Sequence, residues 1–186
     1  MNARHRKISV ATVVFVALFA GMMSLALSHA GEGPFQGPDN WTLTITGAME
    51  QDVSIPIEAL YNGTYETITS DYHFLNQWGT SFTFTFTGVR LVDLLERTSV
   101  ALNESTGSVR FGSIDGYITE SIPLESIYDD PDGVIIAFKQ DGEWIPSKAQ
   151  GGEGPLRVVV GREVIGDGAN SIYWAKYATT VIVTMI

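Results

Sequence analysis

Gly151-Gly152-Glu153-Gly154-Pro155-Leu156-Arg157 runs directly into Val158-Val159-Val160, and this stretch decides how the chain is read. Three glycines and a proline specify an irregular loop, because glycine reaches backbone angles closed to other residues and proline freezes one. The apolar triplet reads as a buried strand, so the loop sets one arginine at that strand's mouth. Small residues let a flat ligand approach the backbone, and a planar guanidinium suits phosphate or carboxylate. A plain structural turn explains the same glycines. Context has to decide between the two.

Upstream lie Gly88-Val89-Arg90-Leu91-Val92-Asp93-Leu94-Leu95 and Phe111-Gly112-Ser113-Ile114-Asp115-Gly116-Tyr117. Ile135-Ile136-Ala137-Phe138 with Asp141-Gly142-Glu143 follow, and Ile172-Tyr173-Trp174-Ala175-Lys176 lies downstream. In this order the segments resemble the oxidoreductase molybdopterin-binding domain family, over roughly Trp41 to Ile186. The resemblance implies a sulfite-oxidase-like molybdopterin-binding fold, α+β in class, with strand-rich mixed sheets and a few short helices. It also implies oxidoreductase chemistry on a molybdopterin-like pterin; the residues by themselves show no cofactor.

One part of that pattern is missing. Catalytic members bind molybdenum through a cysteine thiolate placed between the second strand region and the Gly-Val-x-Leu helix. Here that interval is Ile68 to Trp78, and the chain contains no cysteine. Ser70, Asp71, His73 and Asn76 offer oxygen or nitrogen, harder donors that hold a different metal state. No metal site is therefore expected, and whether the chain is an enzyme stays open.

By the resemblance, the Gly151 to Arg157 loop borders the pterin pocket. Arg157 would hold an anion, and Gly151, Gly152 and Gly154 would allow the close approach. His73 would line the same pocket because it falls in the cysteine interval. Asp115 and Tyr117 match the family's Asp-Gly-Tyr turn, and Trp78 or Tyr117 would stack on a flat ligand. Each has a plainer reading. Arg157 pairs with Asp115 or Glu153; His73, between Tyr72 and Phe74, is structural; Asp115-Gly116 is a turn signal by itself. Trp41, Trp78, Trp144 and Trp174 usually fill cores, with Trp78 beside Gly79 the one expected to rim a pocket. Arg90, Arg110 and Lys176 read as solvated or paired charges.

The N-terminus carries Arg4, Arg6 and Lys7, then an apolar run from Ile8 to Leu27, then Ser28-His29-Ala30. Residues 1–30 therefore read as a signal peptide cleaved after Ala30 or as an N-terminal membrane anchor. Residues 31–40 are a Gly/Pro linker and 41–186 the domain. Charge before the run and little after it places the domain extracytoplasmic, secreted or anchored to the outer face of the cell membrane. The membrane is met only through residues 8–27 if that segment is uncleaved. His5 separates Arg4 from Arg6, so there is no twin-arginine signal of the kind that exports folded, cofactor-loaded proteins. Loss of residues 1–30 from a chain of 186 leaves 156 residues, enough for one core-forming domain.

Along the domain, Trp41, Leu43 and Ile45 alternate with threonines as a strand ending at Gly47, and Val53 to Ile57 keeps the period of two. Pro56 opens a helical turn through Leu60 that Asn62-Gly63 stops. Thr64 to Tyr72 is β-rich, and Phe82, Phe84 and Phe86 alternate with threonines. Leu91, Leu94 and Leu95 form a helix face. Val109 to Phe111 and Tyr117 to Thr119 read as strands about the Asp115-Gly116 turn. Pro123 to Tyr128 reads as a short helix, and Gln140-Asp141-Gly142 as a hairpin between Val134–Phe138 and Glu143–Ile145. Leu156 to Val160 and Thr179 to Met185 have little polar content and read as central strands.

The chain holds 11 basic and 21 acidic residues. Removing Arg4, Arg6 and Lys7 leaves 8 against 21, a net of −13. Such a surface repels nucleic acid and anionic lipid. Asn40, Asn62 and Asn103 open glycosylation sequons that matter only in a host with the machinery. There is no phosphate P-loop, dinucleotide fingerprint or spaced metal-ligand cluster. Three readings follow. The first is an exported molybdopterin-binding oxidoreductase-like domain without a thiolate-ligated metal, with reduced or lost redox activity and a small anionic or pterin-like ligand. The second is a cofactor-free extracytoplasmic module that binds a small ligand or a protein. The third, a hydrolase built on Ser70, Asp71 and His73, is the weakest, since close sequence spacing seldom makes a triad.

Overall fold

β4 (Ser81–Arg90) is the strand around which the site is organised. It follows β3 (Thr67–Leu75) in an antiparallel hairpin and pairs on its other side with β7 (Val134–Gln140). The far edge of β7 is shared. β9 (Arg157–Val160) lies against Val134–Ala137, and the two-residue β8 (Glu143–Trp144) against Lys139 and Gln140. The chain is described by a computed structural model over residues 41–48, 51–98, 106–166 and 168–185. The leader and linker expected for 1–30 and 31–40, and the Asn40 and Asn103 sequons, lie outside these residues.

The second sheet has the order β2-β1-β10-β5-β6. Its strands are β1 (Thr42–Gly47), β2 (Val53–Pro56), β5 (Gly107–Ser113), β6 (Ile122–Pro123) and β10 (Ala178–Met185). Only β1 and β10 pair in parallel, which makes the sheet mixed. Among the described residues four short helices complete the α+β domain: α1 (Ile57–Tyr61), α2 (Leu91–Glu96), α3 (Leu124–Asp129) and α4 (Arg162–Ile165). α2 buries Leu91, Val92, Leu94 and Leu95, the face expected from its leucine spacing. α1 touches β2 of one sheet and β4 of the other, so burying Ile57 and Leu60 ties the sheets together.

Two expectations need correction. β10 is central, but β9 has β7 as its one strand partner. Its other edge is satisfied by non-strand backbone: Val158 donates to the Ala175 carbonyl at 2.8 Å and Ala175 donates back at 3.3 Å. The apolar run reported burial, not a second strand. Tyr117 to Thr119 is likewise no strand, and only an isolated Gly112–Ile118 bridge forms there. The Thr119 hydroxyl accepts from the Phe111 amide at 2.9 Å, so a side chain takes part of the ladder's place.

Candidate functional site

The period of two in β3 and β4 builds one wall of a cleft. Phe74 pairs with Phe82 and Tyr72 with Phe84 across the hairpin, so these residues and Phe86 share a face. Tyr72 and Phe86 are buried there, while Phe82 stays half exposed. The intervening residues, Thr69, Asp71, His73, Thr83, Thr85 and Thr87, point the other way. They bond across the strands among themselves, as Thr85 does to Asp71 at 2.6 Å and His73 to Thr83 at 3.2 Å.

The cleft itself, about 570 Å³, is lined by Phe74, Phe82, Phe84, Trp144, Ile145 and Pro146, with Gln140, Glu143, Gly152, Glu153, Arg157 and Lys176 supplying its polar side. That volume suits a small organic ligand. Its position follows from the shared edge of β7. β8 leaves β7 at Trp144, opposite Lys139, and β9 rejoins it at Arg157, opposite Ala137. Residues 145–156 are thrown out of the sheet between those points, and the opening carries Arg157 at its start.

Arg157 is the buried charge of the site, 7% exposed. Its guanidinium lies over the rings of Trp174 and Phe86, with centroids 5.1 and 5.6 Å away. Nη1 reaches Glu153 at 2.6 Å and Gln140 at 3.4 Å, and the buried Nε has no partner. Burial pushes the guanidinium below its ordinary pKa, and the Glu153 carboxylate works against that shift. Glu153 also takes a hydrogen bond from Lys176 Nζ. One carboxylate thus lies between two cations, a local surplus of one positive charge.

The loop glycines have structural reasons of their own. Gly151 takes φ +80° as the left-handed cap of a 3-10 turn over Lys148–Gln150. A Cβ on Gly152 would sit 2.2 Å from the Pro146 carbonyl oxygen, and one on Gly154 would sit 2.6 Å from Ile145. These glycines bring the loop against residues 145–146; it is the chain, not a ligand, that approaches them.

Of the sequence-derived candidates, Arg157 and Gly152 line the cleft. Arg157 pairs with Glu153, one of its two expected partners. His73 does not join them, because strand alternation sends it to the outer face beside its neighbour Phe74. It lines a separate groove of about 320 Å³ with Asp71, Asp130, Asp132 and Glu163. Trp78 is 88% exposed at the β3–β4 turn, where Asn76 accepts its amide at 2.9 Å. The tryptophan that rims the cleft is Trp144. Asp115 and Tyr117 sit in the turn after β5 in the other sheet, the Asp115 carboxylate accepting the Tyr117 amide and the Tyr117 hydroxyl donating to the Ile172 carbonyl.

Asn170 is a residue that motif reading missed. Fully buried, it accepts from the Leu75 amide at 2.7 Å and donates to the carbonyls of His73 and Val160 at 2.7 and 2.9 Å. It therefore clamps the backbone on both sides of Phe74 and holds that cleft wall to β9. Among the described residues no group of three or more His, Asp and Glu side chains is placed to hold a metal ion.

The family model for the oxidoreductase molybdopterin binding domain matches residues 30–184. Among solved structures, the crystal structure of the sulfane dehydrogenase SoxCD from Paracoccus pantotrophus is similar, at a TM-score of 0.58 and 20% identity. The match covers 82% of this chain and 40% of that one. No curated protein matches the sequence.

Proposed function

From the premise that the chain belongs to the oxidoreductase molybdopterin binding domain family, we propose that this member is a ligand-binding domain without a thiolate-held metal. It takes a small, flat, anionic or pterin-like molecule in the cleft beside Arg157, and its redox activity is reduced or lost. The observation that carries this reading is the donor set. The cleft offers aromatic rings, two cations, two carboxylates and an amide, and neither it nor the rest of the chain has a thiolate. Soft sulfur ligands are absent where the family's metal needs one. A thiolate-ligated metal does not fit these residues, and no chemical step is drawn through it.

Binding is what the residues support. Phe74, Phe82 and Phe84 provide a surface for a flat ring, and the Arg157 guanidinium provides charge in a setting with little water to screen it. We further propose that the domain acts outside the cytoplasm. The basic residues before the apolar run, and the lack of paired arginines for export in the folded state, support an unfolded crossing without cargo.

Elemental analysis of protein purified from its native host tests the first reading, together with fluorescence of any extracted pterin. The expected result is less than stoichiometric molybdenum and tungsten. About one metal per chain with a bound pterin would overturn it. N-terminal sequencing tests export, with a mature start near Gly31 expected.

A further inference from the structure

The charge pattern of the cleft narrows the ligand, and the argument rests on the binding reading above. Glu153 lies between Arg157 and Lys176, so its carboxylate marks where an anion is held. The guanidinium has five donor hydrogens; Glu153 and Gln140 both accept from Nη1, while Nε is left buried and bare. A buried cation so thinly coordinated favours a better-placed acceptor.

Glu153 is free to give way. Its side chain is 40% exposed, whereas its backbone is fixed, its carbonyl accepting from the Tyr177 amide at 3.0 Å. Rotation of the side chain toward solvent vacates the position without unfolding the loop.

We propose that the cleft takes an aromatic monocarboxylate whose carboxylate replaces that of Glu153 between Arg157 and Lys176. Three features select it. The wall of Phe74, Phe82 and Phe84 stacks a flat ring. A planar carboxylate matches the guanidinium fork. With Glu153 swung away, Arg157, Lys176 and Glu143 leave the lining at a net of +1, which one carboxylate balances and a phosphate dianion exceeds. Glu153 is then a built-in placeholder that keeps Arg157 paired when the cleft holds no ligand.

Calorimetry on the purified full chain with 2-naphthoate, 2-naphthamide and 2-naphthyl phosphate tests this. The carboxylate should bind about tenfold or more tightly than the neutral amide, as charge-assisted hydrogen bonds imply. It should also bind more tightly than the phosphate ester. Removing the competing carboxylate in Glu153→Gln should tighten naphthoate by about tenfold, with naphthamide unchanged. Glu153→Ala repeats the measurement should the first variant fold poorly. Arg157→Met should erase the preference for naphthoate over naphthamide. Equal binding of acid and amide, preference for the phosphate, or weaker naphthoate binding in both Glu153 variants would overturn the proposal. Stoichiometric metal in native protein would instead overturn the broader reading, so the two failures are distinct.

Discussion

The cleft and the groove beside it draw on neighbouring residues of the same strand and differ in chemistry. On one side of β3, Phe74 joins Phe82, Phe84 and the buried Arg157. Along the edge of β3, the consecutive residues Ser70, Asp71, Tyr72 and His73 border a smaller groove with Asp130, Asp132 and Glu163. The first is largely apolar, with two cations, Arg157 and Lys176, set against two carboxylates, Glu143 and Glu153. The second is acidic, and Asp132 is drawn off by Arg90 at 2.6 Å. The lesson concerns the interval Ile68 to Trp78. Its one histidine, His73, faces away from the cleft, and the plain aromatic beside it is the one that lines the site.

The largest expected effect falls on the apolar side. Phe86 is fully buried, contacts Tyr72, Phe84 and Trp174, and lies under the Arg157 guanidinium. Phe86→Ala should cost about 3–5 kcal/mol by chemical denaturation, the range for emptying a buried phenylalanine site. A loss near 1 kcal/mol would mean that the wall behind the cleft is not packed as a core.

Next comes the clamp. Asn170→Ala removes three hydrogen bonds, to the Leu75 amide and to the His73 and Val160 carbonyls, of which the Val160 carbonyl keeps the Trp174 indole as a donor at 2.8 Å. A loss of about 2–3 kcal/mol is expected, from unmade hydrogen bonds at a buried site. Hydrogen exchange separates this from a general loss of stability: the Leu75 amide should lose protection more than the amides of β10. Uniform loosening would remove the special tie between Phe74 and β9.

Much of the fold was legible because local signals agreed with burial. The Phe/Thr alternation of β4, the leucines of α2, the proline entry to α1 and the Gln140-Asp141-Gly142 hairpin all match observed elements. The misses share a cause: the partner comes from distant sequence. The apolar run of β9 does not reveal that its second edge meets Trp174 and Ala175 rather than a strand. Asn170 sits in Gly168-Ala169-Asn170, which reads as loop, and only its contacts 95 and 97 residues away show its role. Trp144 and Trp78 are alike by composition, and tertiary packing alone brings the first to the cleft. For the site, Arg157 was visible from its loop, but Glu153 as a bridge between two cations was not, because Lys176 arrives from the far side of β9.

The acidic groove gives a smaller effect of the opposite sign. Burial first, then Glu163 and Asp132, push the Asp130 carboxyl above its ordinary pKa. The folded state therefore prefers neutral Asp130. The stability tied to it is complete below the unfolded carboxylate range, about pH 4, and is lost as pH rises through the folded value. Asp130→Asn should match wild type at low pH and be more stable at pH 7 by under about 1 kcal/mol, discounted for partial exposure. Denaturation midpoints across pH 3 to 7 check the sign. A variant less stable at pH 7 would mean that the carboxylate has a favourable partner in the groove.

The smallest effect should come from the residue that a motif reader would mutate first. His73 is exposed on the outer face of β3 and makes a 3.2 Å hydrogen bond with Thr83, itself exposed. An exposed pair of this kind contributes little, so His73→Ala should change stability by less than about 0.5 kcal/mol. It should also leave naphthoate affinity within about twofold, because the histidine side chain faces away from Phe74 and does not line the cleft. Phe74→Ala, one residue along, should weaken naphthoate about tenfold, the loss of one aromatic stacking surface. The pair of substitutions isolates strand alternation from sequence position. A tenfold loss in His73→Ala would show the two faces to be coupled, and the separation of cleft from groove would then fail as an account of the site.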